Sequence, residues 1–290
     1  MVVASKNFTE QLVLGEVLAQ QVEGCTGLPV TRRLSLGGTM LAHHALLSGE
    51  VDLYPEYTGT ALMTVLEGAD TEAKAVSQPA SVLERLRAEY RKRWEVDWLS
   101  PLGFENTFAM AVPDELATPK GIRTLTDAAR SDFPWRLGVG YEFEQRPDGL
   151  PGLLRLYPLS LSGNVRTMDL GLLYRAMEQG QVDMVAANST DGMLDALGLT
   201  VLEDDQHFFP PYEAAVVVSQ HALGRHPGLL ACLDVLSGTI SVDAMRQMNR
   251  RADEGEASVE EIARDFLRES GLGGPLERHV GRNWRRSTPR

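Results

Sequence analysis

The sequence is poor in the residues that build metal clusters, membrane spans or nucleic-acid surfaces. Its 2 cysteines, Cys25 and Cys232, lie far apart and fit no metal spacing. They could form a disulfide if the compartment is oxidising; two small buried hydrophobes is the simpler reading. No apolar run approaches the roughly 20 residues a membrane-spanning helix needs, and the longest, Ala214 to Val218, is strand-sized. Basic residues are outnumbered, 28 Lys+Arg against 40 Asp+Glu, for a formal net charge of −12. Such a surface is repelled by phosphate backbones, so nucleic acid is not expected as a partner. The amino terminus has no basic start followed by an apolar stretch; the chain is either cytoplasmic or has had a targeting segment removed. What remains is ordinary globular composition, 43% hydrophobic and 23% charged, which excludes disorder and collagen-like architectures. At 290 residues the chain is long enough for two lobes or one large domain.

Strand-like and helix-like segments alternate, which predicts an α/β fold with a largely parallel sheet. Val2 to Ser5 reads as a first strand, followed by a helix from Glu10 to Gly24 capped by Thr9, with Leu12, Leu14, Val17, Leu18 and Val22 on a buried face. Strands are predicted over Leu28–Leu36, Val51–Tyr54, Phe108–Val112, Arg136–Gly140, Val182–Ala187 and Ala214–Val218. Helices are predicted over Thr39–Ser48, 79–93, Leu150–Leu156, Gly171–Gln179, Pro227–Ser237 and Ser258–Ser270, with an Arg-rich solvated tail after them. An internal echo links the two halves. Leu46–Leu53 and Ala176–Met184 each end a helix at a glycine and enter a strand through Val-Asp, and eight residues on from Gly49 and Gly180 stand Tyr57 and Asn188. The echo suggests two similar lobes, each offering a loop at the carboxyl end of a strand, where open α/β sheets bind ligands.

Signals of catalysis are weak. Gly138-Val139-Gly140 lacks the third glycine of a dinucleotide loop, and there is no P-loop and no Gly-x-Ser-x-Gly elbow. Adjacent His43 and His44 face different sides of a helix and suit structural roles, His207 precedes a rigid Phe-Phe-Pro-Pro stretch, and Asp204-Asp205 read as solvated. Ser189-Thr190-Asp191 has no partner base nearby and reads as a helix cap. No reaction, metal or cofactor is called for. The loops instead supply Tyr57 with Thr60, Phe108 after Asn106-Thr107, Arg146 before Pro147-Asp148-Gly149, and Tyr212 after a double proline. Rings hold a methylated cation that has no N–H to donate, while a guanidinium and hydroxyls hold a carboxylate.

Ser5-Lys6-Asn7-Phe8-Thr9-Glu10-Gln11, Leu36-Gly37-Gly38-Thr39 and Asp52-Leu53-Tyr54-Pro55-Glu56-Tyr57-Thr58-Gly59-Thr60 carry a family resemblance, continued in Asn106–Ala109, Arg146–Gly152, Ser189–Gly192 and Glu203–Tyr212. Together these motifs resemble the substrate-binding component of glycine betaine/choline/carnitine ABC importers, the osmoprotectant-uptake type. The resemblance implies a two-lobed periplasmic-binding-protein fold of type II with two hinge crossovers, lobe I being residues 1–106 and 212–290 and lobe II residues 107–211. It also implies an extracytoplasmic monomer that delivers its ligand to an ABC permease and catalyses nothing. A sensor module using the same cleft, or a domain fused to a permease, are the other readings. In such relatives, tyrosines at the positions of Tyr57, Phe108, Asn188 and Tyr212 cage the trimethylammonium group. Residues matching Lys6, Thr60 and Arg146 hold the carboxylate, with the main chain at Asn106 near the cation. Phe108 keeps a ring; Asn188 removes a wall, which predicts a zwitterion larger than glycine betaine, such as carnitine or ergothioneine, with weakly bound glycine betaine or choline as alternatives. Glu213 is a further polar contact or a solvated group.

Overall fold

A computed structural model describes residues 1–66 and 79–275; the Arg-rich tail lies outside the described residues. Its strands form two five-stranded sheets. The first, in order β2-β1-β3-β10-β4, takes β1 (Val2–Ala4), β2 (Thr31–Arg33), β3 (Leu53–Tyr57), β4 (Val96–Trp98) and β10 (Ala214–Ser219). The second, in order β7-β6-β8-β5-β9, takes β5 (Phe108–Pro113), β6 (Leu137–Val139), β7 (Arg166–Thr167), β8 (Met184–Asn188) and β9 (Leu199–Val201). The chain thus leaves the first sheet after Trp98 and returns to it at Ala214.

The sheets are mixed rather than largely parallel. β1 runs parallel to β2 and β3, but β10 is antiparallel to β3 and β4. Likewise β6 is parallel to β7 and β8, while β5 is antiparallel to β8 and β9. The physical reason is the crossing between sheets. A parallel neighbour needs a long return crossover, whereas β5 and β10 enter directly from the other half through short connections and run against their neighbours. The echo read from sequence lies in equivalent places. Gly49 and Gly180 end their helices with φ +74 and +63, a conformation that disfavours a side chain. Beyond them β3 and β8 run to Tyr57 and Asn188, their last residues.

Each sheet is covered on both faces. On one side of the first sheet, Leu53, Tyr57 and Val216 pack with helix α1 (Thr9–Thr26) and with three late helices, α7 (Leu229–Asp234), α8 (Val242–Asp253) and α9 (Val259–Glu269). On the other, Tyr54, Ala215 and Val217 pack with α2 (Thr39–Leu47) and α3 (Pro79–Trp94). The period-2 alternation of β10 over these two clusters is what its Ala-Ala-Val-Val-Val run supplies. The second sheet carries α4 (Tyr141–Gln145), α5 (Leu150–Leu156) and α6 (Leu170–Glu178), with Trp135 and Tyr157 buried in one cluster and Leu173 and Tyr174 in the other.

Other details depart from the sequence reading. Cys25 and Cys232 are joined by a disulfide, Cα–Cα 6.0 Å, which ties the end of α1 to α7; neither is a free hydrophobe. Thr9 does not cap α1: Phe8 precedes the helix, and the Thr9 hydroxyl donates to Asp253 at 2.6 Å. The strand expected over 28–36 shrinks to a three-residue exposed edge. Helix α8 was not foreseen, although Ser241 caps it by accepting from the Ala244 N–H and Met245 and Met248 point inward. His43 packs edge-on against Trp94 at 4.7 Å, and burial holds it neutral, its pKa pulled down to about 4.

Candidate functional site

A cleft of about 760 Å³ lies between the two halves, and Lys6, Tyr57, Thr60, Asn106, Phe108, Arg146, Asn188 and Tyr212 all line it. The strand ends bring them there. Tyr57 closes β3 and pairs with Ala214, while Asn188 closes β8 opposite Phe108 at the start of β5. Thr60 follows Tyr57 in a single helical turn that widens into a π-helical stretch, Ala61–Val65. Gly59 is required between them, because a Cβ there would sit 2.6 Å from the Tyr212 ring.

The rings form two walls. Phe108 and Tyr212 meet edge to face at 5.8 Å, with Phe143 behind Phe108 at 4.8 Å. Tyr57 is backed by Phe8 at 6.3 Å, a residue of the amino-terminal motif not singled out from sequence. Both tyrosine hydroxyls are spent on carboxylates: Tyr57 donates to Glu10 at 2.6 Å and Tyr212 to Asp148. Burial, with the adjacent carboxylates, raises both phenol pKa values and keeps the phenols protonated. A phenol donating to a carboxylate gains electron density, which strengthens the negative face its ring offers a cation.

The two cations are held in place by acids. Arg146 donates through Nε and Nη2 to the two oxygens of Asp148 and through Nη1 to Thr60 Oγ1 at 3.2 Å. Burial opposes its charge, but the Asp148 pairing outweighs it and the pKa rises. Three of the five guanidinium N–H groups are thereby engaged, and Glu142 lies 3.8 Å from Nη1 as a second, more exposed acid. The guanidinium lies 5.1 Å from the Phe108 ring centre and 6.0 Å from that of Tyr212. Lys6 Nζ contacts Glu56 at 2.5 Å and Thr39 at 3.3 Å and lies over the Tyr57 ring at 4.7 Å.

Between these walls is Glu10, 3% exposed. Its carboxylate accepts from Tyr57, from Asn106 Nδ2 at 2.8 Å, from Asn249 Nδ2 at 3.0 Å and from Thr190 Oγ1. Burial dominates these contacts and raises its pKa. It makes no ion pair among the described residues. Thr190 belongs to the second half, so this hydrogen bond crosses the cleft. So do those from Asn249 Nδ2 to the Thr190 carbonyl at 3.0 Å, from Arg246 to the Ser189 carbonyl at 2.8 Å and from the Thr39 N–H to Glu142 at 3.1 Å. The two halves are therefore latched on both sides of the cleft. Ser189-Thr190-Asp191 does not cap a helix: Ser189 Oγ accepts from the Thr107 N–H, Thr190 reaches Glu10, and Asp191 accepts from Tyr174 at 2.6 Å. Asp204 is likewise a half-buried acceptor for Tyr157 and the Phe209 N–H rather than solvated. Glu213 lies outside the cleft lining, beside Glu105.

The family model described as the substrate binding domain of ABC-type glycine betaine transport systems matches residues 1–269. The chain belongs to that family. It is 35% identical to a glycine-betaine-binding protein of Pseudomonas aeruginosa, over 93% of this chain and 88% of that one. It is 32% identical to an ergothioneine transport permease/ergothioneine binding protein of Helicobacter pylori, covering 94% of this chain but 48% of that relative, so it spans about half the latter's length. A crystal structure of a glycine betaine/carnitine/choline ABC transporter superposes with a TM-score of 0.77 at 28% identity, covering 94% of this chain and 99% of that chain. The family is one of transport substrate-binding proteins.

Within this family frame, sequence reasoning passed over the central acid. Glu10 stands in the Ser5–Gln11 motif but reads from sequence as a helix-start residue, since an acidic residue in a first turn needs no further reason. Asn249 comes from a helix that was not read at all, and nothing local in the sequence marks it. Asp148 and Asp191 stand inside the quoted motifs without a role in the cleft read for them, and Tyr174 lies in the helix predicted over Gly171–Gln179. Asn188 is half-exposed to the cleft, and its side-chain amide makes no hydrogen bond among the described residues.

Proposed function

We propose that this chain is an extracytoplasmic solute-binding protein that captures a quaternary-ammonium zwitterion larger than glycine betaine and delivers it, as a monomer, to an ABC permease. In this reading residues 1–106 with 212–290 form one lobe and 107–211 the other, and the ligand holds them closed by contacting both. Tyr57, Phe108 and Tyr212 receive the trimethylammonium group beside Asn106 and Glu10, while the two unengaged N–H groups of Arg146, with Thr60 and Lys6, receive the carboxylate. The observation that carries the reading is Asn188. Opposite Phe108 in register it offers an amide where a fourth ring would close the box, and the cleft around it measures about 760 Å³. That is within the roughly 300–1,000 Å³ of small-molecule sites and far more than so compact a solute as glycine betaine fills. A disulfide between Cys25 and Cys232 agrees with an oxidising compartment outside the cytoplasm.

The test is calorimetric titration with glycine betaine, carnitine, choline and ergothioneine. The reading expects a larger zwitterion to bind at least tenfold tighter than glycine betaine, and choline, which lacks a carboxylate, to bind more weakly than the preferred zwitterion. Tightest binding of glycine betaine would overturn the size assignment; no binding by any of the four would overturn the ligand class.

A further inference from the structure

Behind the cleft wall at Lys6, the first sheet buries a set of polar groups that ligand capture does not use. On the side of that sheet facing α2 and α3, strand register sets Glu56 beside Ala215, and Val217 stands between Tyr54 and Trp98. Tyr90 of α3 packs on this row, its ring 5.4 Å from that of Trp98 and 5.5 Å from that of His43 on α2. Glu56, Tyr54 and Tyr90 are 0% exposed, and His43 and Trp98 are 2% exposed.

Nine buried side-chain polar atoms have no hydrogen-bond partner among the described residues, and five of them belong to this one cluster: Glu56 Oε2, the Tyr54 and Tyr90 hydroxyls, His43 Nδ1 and Trp98 Nε1. Buried polar groups are nearly always paired, so five together call for a shared partner. Their chemistry is complementary. Glu56 gives Oε1 to the Lys6 ammonium and the Tyr57 N–H, which leaves Oε2 as an acceptor. The phenols and the indole bring donors, and a neutral imidazole can serve in either sense. Burial, and after it the charge of Glu56, raises the pKa of both phenols. They therefore stay protonated within electrostatic reach of that carboxylate, yet neither donates to it directly. What spans such a gap must be small and must both donate and accept, which describes water. A metal cation suits the cluster poorly, because Lys6 already pairs with Glu56 and Trp98 offers only an N–H.

We propose that the space between β3, β4, α2 and α3 is an internal hydration site, in which ordered water bridges Glu56 Oε2 to the hydroxyls of Tyr54 and Tyr90, with His43 and Trp98 completing its shell. Ala215, small and directly beside Glu56 in register, leaves room for it. The site supplies the hydrogen bonds that a buried ion pair needs beyond its own attraction. Lys6 thereby meets the cleft on a fixed support, Glu56 held from behind by two phenols. The inference is independent of which solute the cleft takes.

The experiment uses the ligand-free chain, so its outcome is separate from that of the solute titrations. Tyr54→Phe and Tyr90→Phe each delete one hydroxyl and keep the ring packing. If water bridges that hydroxyl to Glu56, each variant should lower Tm by roughly 2–4 °C, the loss of about one hydrogen bond in a chain of this size. If the hydroxyl is instead dry and unpaired, its deletion relieves a buried orphan and Tm rises. The sign of the shift therefore decides. A crystal structure that resolves ordered solvent should show water within hydrogen-bond distance of both Glu56 Oε2 and a phenol. A Tm unchanged or raised in either variant would overturn the site, as would a phenol bonded directly to Glu56 with no water between them.

Discussion

Removal of Arg146 separates the two ends of a zwitterion most cleanly. The guanidinium keeps two N–H groups beyond those given to Asp148 and Thr60, and hydrogen bonds to a charged partner contribute about 1.5–3 kcal/mol each. Loss of the pair therefore removes about 3–6 kcal/mol of zwitterion binding, two to four orders of magnitude in Kd. Choline has no carboxylate to lose, and loses a neighbouring positive charge, so its affinity should hold or improve. Arg146→Ala alone carries a complication: Asp148, 2% exposed, loses its counter-ion and keeps only the Tyr212 hydroxyl. A buried charge stripped of its partner costs about 3–5 kcal/mol of stability. Arg146→Ala/Asp148→Asn removes that charge while leaving an acceptor for Tyr212. Calorimetry on the double variant should show zwitterion affinity falling at least a hundredfold and choline affinity within a few-fold of the parent. Equal losses for both would refute the reasoning, placing Arg146 in the scaffold that holds Asp148 and Thr60 rather than against ligand.

Asn188→Tyr restores a ring opposite Phe108 and should tighten glycine betaine by up to about thirtyfold, since a cation–π contact is worth about 0.5–2 kcal/mol, while weakening betaines with a side chain; competitive titration reads both. Reduction of Cys25–Cys232, or its replacement by serines, opens a link across a sequence separation of 207 residues and should lower Tm by roughly 6–12 °C for a typical loss of about 3 kcal/mol, with the far-ultraviolet spectrum below the transition unchanged. Burial raises the Asp191 pKa to about 6, so its contribution to ligand-free stability is fully present below about pH 4, the unfolded value, and is lost as pH rises through 6. The Tm of the parent relative to Asp191→Asn should therefore fall across pH 4–7, and a flat difference would remove Asp191 from the buried set.

Periodicity carried most of the sheet-forming elements, because β3, β8 and β10 are near-continuous buried runs bounded by glycine or polar loops. Their direction was not legible. Whether a strand runs parallel depends on where the chain has come from, and β5 and β10 arrive from the other half. The rings and the arginine were legible because an aromatic or a guanidinium after a strand stands out on a loop. Glu10 was not: a glutamate in the first turn of a helix is solvated in most proteins, and only the meeting of Tyr57, Asn106, Thr190 and Asn249 around it makes it central. Those four donors come from positions up to 239 residues away from it. Cys25 and Cys232 were ambiguous for the same reason, since pairing rests on the packing of α1 on α7.

The relative strength of rings and charge decides how the departure at Asn188 should be understood. Each ring gives a bound cation about 0.5–2 kcal/mol. A buried carboxylate without a counter-ion, at about 6 Å and an effective dielectric near 20, gives roughly 3 kcal/mol, more than any single ring. Glu10 is such a group, carrying four hydrogen bonds and no cation of its own, and burying it in the closed cleft is opposed by desolvation. In the function proposed above, a quaternary ammonium beside it would offset that cost, so cation capture and lobe closure would favour one another through the same carboxylate. On that reading, three rings with Glu10 suffice for the cation. What differs is the lining: opposite Phe108 the cleft has an amide, Asn188, in place of a ring. On the same reading, Asn188 bears more on which betaine fits than on whether a betaine binds.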